Sequence, residues 1–526
     1  MPRVAVVGGG IAGLTAAWEL ARAGVQVILF EAADRLGGVI APVALSGVQV
    51  DAGAEAFATR VPAVREFLTD LGLAEQIVSP NPAGAWLQLP EFSAPLPATG
   101  ILGIPGHPEA GDVAAILGAQ HAARAAEDLS APMTWTTGLS PSLGEVVADR
   151  MGSAVVEKLV APITSGVHSA DPDDLAISAA HPKLYQTMLA EGSLAQAVRS
   201  LRAAAPAGSA VQSLRGGMNT LITALEAQLR DLGVSIHCST HVSGFRIQRQ
   251  GVRTATVSAD SRLSSGRVEV EANHVVLAVD GPDVAELLGE TNAASASAQS
   301  GGASLTPLNR LPAERATLKR LGSPRASSGL PSAQSGVALV TLLVHAPELD
   351  VHPRGTGMLV APSAEHIRAK AMTHISAKWT WAAEALKVKL GPGYHLLRLS
   401  YGRVTDAPGT LGFASSDSEL ISAAVDDLPL LTGVRIAEEQ IMDRAVVRWQ
   451  RGIPGGGADQ RGQAEQTRAA LVAQLPEDGP QVTAVGSWFA GTGLAQVIPD
   501  ARQQAQTLCA HLAEAGRSAD VGGTED

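Results

Sequence analysis

The chain has 526 residues, a formal net charge of -12 at pH 7 and a hydrophobic fraction of 46%. That length supports two or three domains with a substantial buried core, and the acidic balance, with no stripe of Lys and Arg, argues against a nucleic-acid surface. The two cysteines, Cys238 and Cys509, lie far apart, with no CxxC and no His cluster at metal-ligand spacing, so neither a disulfide framework nor a metal site is expected. No stretch is apolar and charge-free for long enough to span a bilayer, and none reads as a signal peptide, which makes the cytoplasm the expected compartment.

Residues 4–31 read VAVVGGGIAGLTAAWELARAGVQVILFE, a strand, a glycine turn, a helix and a second strand ending in a carboxylate. Gly8 allows the tight turn, Gly9 continues it, Gly10 lets backbone approach a pyrophosphate, and Gly13 lets the helix sit close to the sheet. The amides of Ile11 and Ala12 open the helix, where they face phosphates. Glu31, about twenty residues past the glycines, is placed to accept hydrogen bonds from ribose hydroxyls, with Ala32 beside it. Ile11, Leu14 and Trp18 recur at helical spacing, and Gly24 sits where a C-terminal cap belongs.

Next comes Arg35-Leu36-Gly37-Gly38, then Val39, and after a hydrophobic run Asp51-Ala52-Gly53-Ala54-Glu55-Ala56. These segments resemble the R-x-G-G and D-x-G pair of the FAD-dependent amine oxidase and desaturase superfamily, which makes FAD the expected cofactor in preference to a nicotinamide. Further nucleotide-fold signals return at 214–247, where Gly216-Gly217-Met218 opens a helical pattern, at 272–279, and at 482–498 before a final helix. Between them, residues 114–201 read as helical and 337–449 as a mixture of strands and helices. Residues 294–336 are rich in Ser, Ala, Gly and Pro without apolar periodicity. They are expected to be a disordered surface insertion, with a basic interaction segment as the alternative.

Taken together, the pieces resemble the oxygen-dependent protoporphyrinogen and coproporphyrinogen oxidases over the whole chain apart from that insertion. The resemblance is carried by the N-terminal cradle, by Phe57-Ala58-Thr59-Arg60-Val61-Pro62, by Leu96-Pro97 through Pro105, and above all by residues 159–172, LVAPITSGVHSADP. Gly355 to Val360, Lys378-Trp379 and Arg448-Trp449 continue it in order. It implies an α/β fold: a discontinuous Rossmann-like FAD-binding domain (1–57, 210–290 and 450–515), a mixed-sheet substrate domain (58–95 and 337–449) and a helical domain (96–209). Three departures stand out. Gly455-Gly456-Gly457 replaces the family's usual Gln-Tyr after Ile453-Pro454, Asp280-Gly281 places a charge after a strand end, and Ala495 stands where Pro is common.

By the same resemblance, Val242 meets the adenine through its backbone, Trp449 lies near the flavin, and Thr492, Gly493 and Leu494 close over the isoalloxazine. No Cys or His lies within 488–498 to bond the flavin, so the FAD is expected to be non-covalent. The implied reaction oxidises coproporphyrinogen III to coproporphyrin III in haem biosynthesis, with oxygen as acceptor and hydrogen peroxide as product. Gly166, Val167 and His168 are expected at the substrate cavity. Arg60 and Lys378 are the candidate cations for substrate carboxylates, each with an ordinary ion pair or solvated charge as the alternative. The resemblance leaves room for a weak peripheral contact with a membrane and for contacts with other enzymes of the haem pathway. Protoporphyrinogen IX as substrate, a flavin amine oxidase, and a flavin-binding sensor or chaperone are the competing readings.

Overall fold

The computed structural model describes residues 2–98, 100–168, 170–204, 210–247, 255–261, 267–281, 283–284, 287, 336–403, 409–449, 458–473 and 482–521. The expected insertion at 294–336, except Gly336, and the departure at 455–457 lie outside the described residues.

Three separate stretches of chain build one five-stranded parallel sheet, in the order Ser235–His237, Gln26–Phe30, Arg3–Val7, His274–Leu277, Val482–Ala484. Val4, Ala5, Val6 and Val7 are buried on both faces of Arg3–Val7, the pattern of a central parallel strand covered on both sides. One face carries the helices Ile11–Arg22, Asn219–Asp231 and Leu494–Val521, which pack Leu14, Trp18, Leu225, Leu229, Ala501 and Leu508 into a shared core. The other face carries an antiparallel layer of Thr240–Ile247, Ala255–Ser261 and Arg267–Ala272, with Phe245 and Val257 pressed against Ala5 and Leu277.

A second, seven-stranded sheet runs Ile441–Trp449, Val337–His345, Tyr394–Tyr401, Ala371–His374, Gly357–Val360, Trp86–Gln88, Ser93–Pro95. Its pairings are antiparallel except for Gly357–Val360 with Trp86–Gln88. One face is covered by the helix Asp417–Thr432 through Leu420, Leu428 and Leu431. The other meets Leu45, Val48 and Val50 together with Trp379 and Trp381. This second face brings the sheet against the loop that follows Val48–Asp51.

Residues 111–203 are mainly helical and share a core of Val146, Val155, Leu159, Leu184 and Val198. A buried charge fixes this layer. Asp128 accepts from Arg150 Nε at 2.5 Å, Ser193 Oγ at 2.7 Å and the Ala195 amide at 2.8 Å, so its carboxylate is paired at the start of Leu194–Ala203. No helix among the described residues is long and apolar enough to cross a membrane.

Candidate functional site

The turn between Arg3–Val7 and Ile11–Arg22 is set by close packing. Gly8 has φ +106°, and a Cβ there would overlap the Ala278 carbonyl; a Cβ at Gly13 would overlap the Gly8 carbonyl. Both positions therefore need a residue with no side chain. Gly10 differs: a Cβ built on it meets nothing within 4 Å. It is the N-cap of Ile11–Arg22, which has no side-chain cap bond and no acidic residue in its first turn. The helix thus presents uncapped amides to the space in front of Gly10.

That space is a cavity of about 640 Å³, within the usual range for a small-molecule site. Of the residues expected to hold the cofactor, Gly8, Gly10, Ile11, Ala12, Glu31, Ala32, Gly38, Val39, Ala54, Ala56, Val242, Gly493 and Leu494 line it. Glu31 is fixed at its far end, accepting from the Gly9 and Ala33 amides at 2.7 Å each. Gly493, at φ +87°, starts the turn into Leu494–Val521. Open space at Gly10, an uncapped helix start and a carboxylate twenty-one residues on are what a dinucleotide cofactor needs, so these residues fit the group.

The remaining expected residues support the wall from behind. Arg35 donates to the carbonyls of Leu36, Ile40 and Gly38 at 3.1, 3.4 and 3.0 Å, shaping the 36–40 loop. Gly9 and Gly13 belong to the turn itself, and Thr492 sits next to the lining Gly493. The Trp449 indole packs on Gly53, with Nε1 2.7 Å from the position of an added Cβ, and that nitrogen is buried with no hydrogen-bond partner among the described residues.

Glu55 alternates with the lining Ala54 and Ala56, and its carboxylate is taken up by Lys378 Nζ at 2.6 Å and by Arg398 Nη2. Burial opposes its ionisation, yet Arg398 and Lys378 outweigh that and hold it down to about 2. Lys378, expected opposite a substrate carboxylate, therefore already has a carboxylate partner inside the protein. Asp51, at the start of the same loop, accepts from the Met218 amide at 2.9 Å. Burial pushes it up to about 7, against the Met218 bond, with the Glu55 charge adding to the rise.

The segment resembling a substrate-cavity block contains two π-helical stretches, Val156–Val160 and Thr164–His168, a form concentrated at functional sites. Gly166 lies against Leu359, Ala371 and the Lys370 carbonyl, so Val167 and His168 follow on a backbone docked to the seven-stranded sheet. Arg403 Nε donates to Ser165 Oγ at 2.7 Å across this junction. Arg60 is exposed between Phe57–Ala58 and Ala63–Asp70, outside the cavity and without an ion-pair partner among the described residues. Sequence reasoning missed several lining residues. Met218 and Asp280 had a local signal, a double glycine and an out-of-place charge; Val497 and Leu287 had none.

A profile of flavin containing amine oxidoreductases matches residues 11–311. The coproporphyrinogen III oxidase of Mycobacterium tuberculosis (strain ATCC 25618 / H37Rv) is 31% identical over 493 residues, covering 93% of this chain and 93% of that protein. The coproporphyrinogen III oxidase of Bacillus subtilis (strain 168) is 25% identical, covering 97% and 98%. A solved structure from Exiguobacterium sp. 255-15, provisionally named a protoporphyrinogen oxidase, superposes with a TM-score of 0.74 at 24% identity, over 97% of this chain and 99% of that one. The parallel sheet, the glycine turn and these full-length likenesses agree: the chain belongs to the flavin containing amine oxidoreductases, in the coproporphyrinogen III oxidase branch.

Proposed function

We propose that this protein oxidises coproporphyrinogen III to coproporphyrin III in the cytoplasm, as a step of haem biosynthesis. It would use non-covalent FAD, with oxygen as final acceptor and hydrogen peroxide as second product. The reading is carried by full-length likeness to coproporphyrinogen III oxidases in a chain whose cavity is built on a dinucleotide turn. A porphyrinogen has methylene bridges between its pyrroles, and three two-electron oxidations convert it to the conjugated macrocycle. Bound FAD supplies the acceptor for a hydride from such a bridge.

The chain's own residues bind and orient. The amides of Gly10, Ile11 and Ala12 receive the pyrophosphate, Glu31 the ribose hydroxyls, and the Val242 backbone the adenine. Ala54, Ala56, Gly493 and Leu494 enclose the ring end. Trp449 would lie near the flavin from behind the 51–56 loop, its indole packed on Gly53. Gly166, Val167 and His168 form the substrate side, and Arg60 meets a propionate. No side chain is assigned the bridge proton, which the pyrrole N–H and solvent carry.

Anaerobic mixing of the FAD-loaded protein with coproporphyrinogen III tests the reading. The visible flavin band should bleach, and air should restore it as fluorescent coproporphyrin III accumulates. Bleaching by an amine but by neither porphyrinogen would replace the proposal with an amine oxidase. A flavin that neither compound bleaches would leave a sensor or chaperone.

A further inference from the structure

Behind the part of the cavity wall formed by Ala54 and Ala56 lies a small cluster of buried charge. Glu55 extends from between them to Lys378, at the end of the short helix Ile375–Lys378, and to Arg398, on Tyr394–Tyr401. Arg398 also donates from Nη1 to the Asp51 carbonyl at 3.1 Å. The 51–56 loop is thus gripped from the seven-stranded sheet by Arg398 at two points, by Lys378, and by Trp449 on Gly53. All three charged side chains are largely buried, with exposures of 22% for Lys378, 8% for Arg398 and 11% for Glu55.

The charges do not cancel. Two cations face one carboxylate, and the next carboxyl in the loop, Asp51, holds its proton until about neutrality because burial raises it. A net positive charge therefore remains next to the cavity, in a medium where charges act more strongly than in water. Adding electrons to a ring system placed there becomes easier. Removing the positive charge should make reduction harder, and removing the negative charge should do the opposite.

We propose that Lys378, Arg398 and Glu55 form a charged seat behind the 51–56 loop that raises the reduction potential of the bound flavin. Lys378 is then a positioning residue that acts on the flavin through Glu55 and the loop, and it is not a receptor for a substrate carboxylate. The inference rests on the flavin reading above.

The test uses the full-length protein loaded with FAD as wild type, Glu55→Gln, Lys378→Met and Lys378→Arg. Midpoint potentials are measured by dye equilibration and the affinity of the flavin for sulfite by titration. Lys378→Met should lower the potential and weaken the sulfite adduct by about tenfold; Glu55→Gln should raise the potential and tighten the adduct; Lys378→Arg should restore the wild-type values. Opposite signs in the two charge-removing variants are the signature, since mere loosening of the loop would move both the same way. If Glu55→Gln does not fold, the Lys378 pair decides alone, loss with Met and recovery with Arg supporting the seat. Shifts of one sign, or none, in flavin-loaded variants overturn the seat alone. A wild-type chain that retains no flavin overturns the flavin reading and the seat together.

Discussion

Arg468 and Asp500 meet in a two-pronged ion pair, Nη1 to Oδ1 at 2.8 Å and Nη2 to Oδ2 at 2.6 Å. Nε of the same guanidinium donates to the Ala484 carbonyl at 3.0 Å, and its carbon lies 5.1 Å from the Phe489 ring centroid. One side chain of Ala458–Ala473 thereby ties both ends of the 484–500 stretch, which supplies Gly486, Ser487, Gly493, Leu494 and Val497 to the cavity. Arg468→Ala should cost about 2 kcal/mol, in line with charge-assisted bonds in a partly buried setting. Chemical denaturation and flavin titration check it, with a lower midpoint and a weaker flavin Kd expected together. Arg468→Lys should recover only part of both, because an ammonium cannot serve the same three acceptors in one plane.

The contrast between this clamp and the glycine turn shows what can be read locally. The α/β class and the first strand, turn, helix and strand were legible because apolar runs, glycines and Glu31 all fall within thirty residues. The partners of Glu55 were not. Lys378 and Arg398 are 323 and 343 residues away, and only the packing of the second sheet against the 51–56 loop brings them there. An isolated Lys in the sequence looked like a candidate for a substrate carboxylate because nothing nearby shows that a protein carboxylate already occupies it. Arg468 lay just past a departure from the family pattern, where resemblance offered no guide to its helix.

Gly10 and Gly13 should fail in different ways. Gly13→Ala forces a Cβ into the Gly8 carbonyl, so it should lower the thermal midpoint of the flavin-free and flavin-loaded protein alike. Gly10→Val puts its Cβ where nothing lies within 4 Å, so the flavin-free protein should melt close to the wild type, short only of the modest preference for glycine over valine at a helix N-cap. The added side chain enters the space assigned to the pyrophosphate, and the purified variant should be colourless. Full flavin loading of Gly10→Val would remove the turn from the cofactor site.

The titration of Asp51 sets a pH dependence with a definite sign. Its folded-state pKa, about 7, lies above the ordinary 3.8. A group that holds its proton more tightly when folded stabilises the fold below its unfolded pKa, and that contribution disappears as pH rises through the folded value. Asp51 therefore withdraws stability from the wild type between about pH 4 and about pH 7, whatever the buried histidines contribute to both proteins. Asp51→Asn cannot titrate, and its unfolding midpoint should rise relative to that of the wild type over the same interval. Glu55 works in the opposite sense: held down to about 2, it withdraws stability only as pH drops below 4.5. Parallel pH profiles for wild type and Asp51→Asn would show that Asp51 is ionised throughout.

The way the flavin is held is open to a direct check. Residues 488–498 contain no Cys or His, and among the described residues the cavity lining holds one histidine, His241, on the antiparallel layer near Val242. Acid precipitation should release all the yellow colour into the supernatant, and chromatography of the supernatant should return intact FAD. Colour left on the denatured chain would mean a covalent bond, with His241 the first residue to replace.

Arg60 should separate the two porphyrinogens. It is exposed, has no ion-pair partner among the described residues, and its charge reaches His181, which burial first and Arg60 second hold below the usual histidine range. A cation without a partner beside a second polar group suits a carboxylate from outside the protein. Coproporphyrinogen III brings four propionates and protoporphyrinogen IX two, so the first can engage Arg60 in binding modes the second lacks. One charge-assisted bond at a partly solvated site corresponds to about tenfold in kcat/KM. Arg60→Ala should cut the preference for coproporphyrinogen III by about that factor, mostly through KM, while the flavin content and spectrum stay those of the wild type. Arg60→Lys should keep part of the preference, since an ammonium retains the charge but gives up the paired geometry. An unchanged ratio of kcat/KM for the two substrates in Arg60→Ala would place the propionate receptor elsewhere and return Arg60 to the solvated surface.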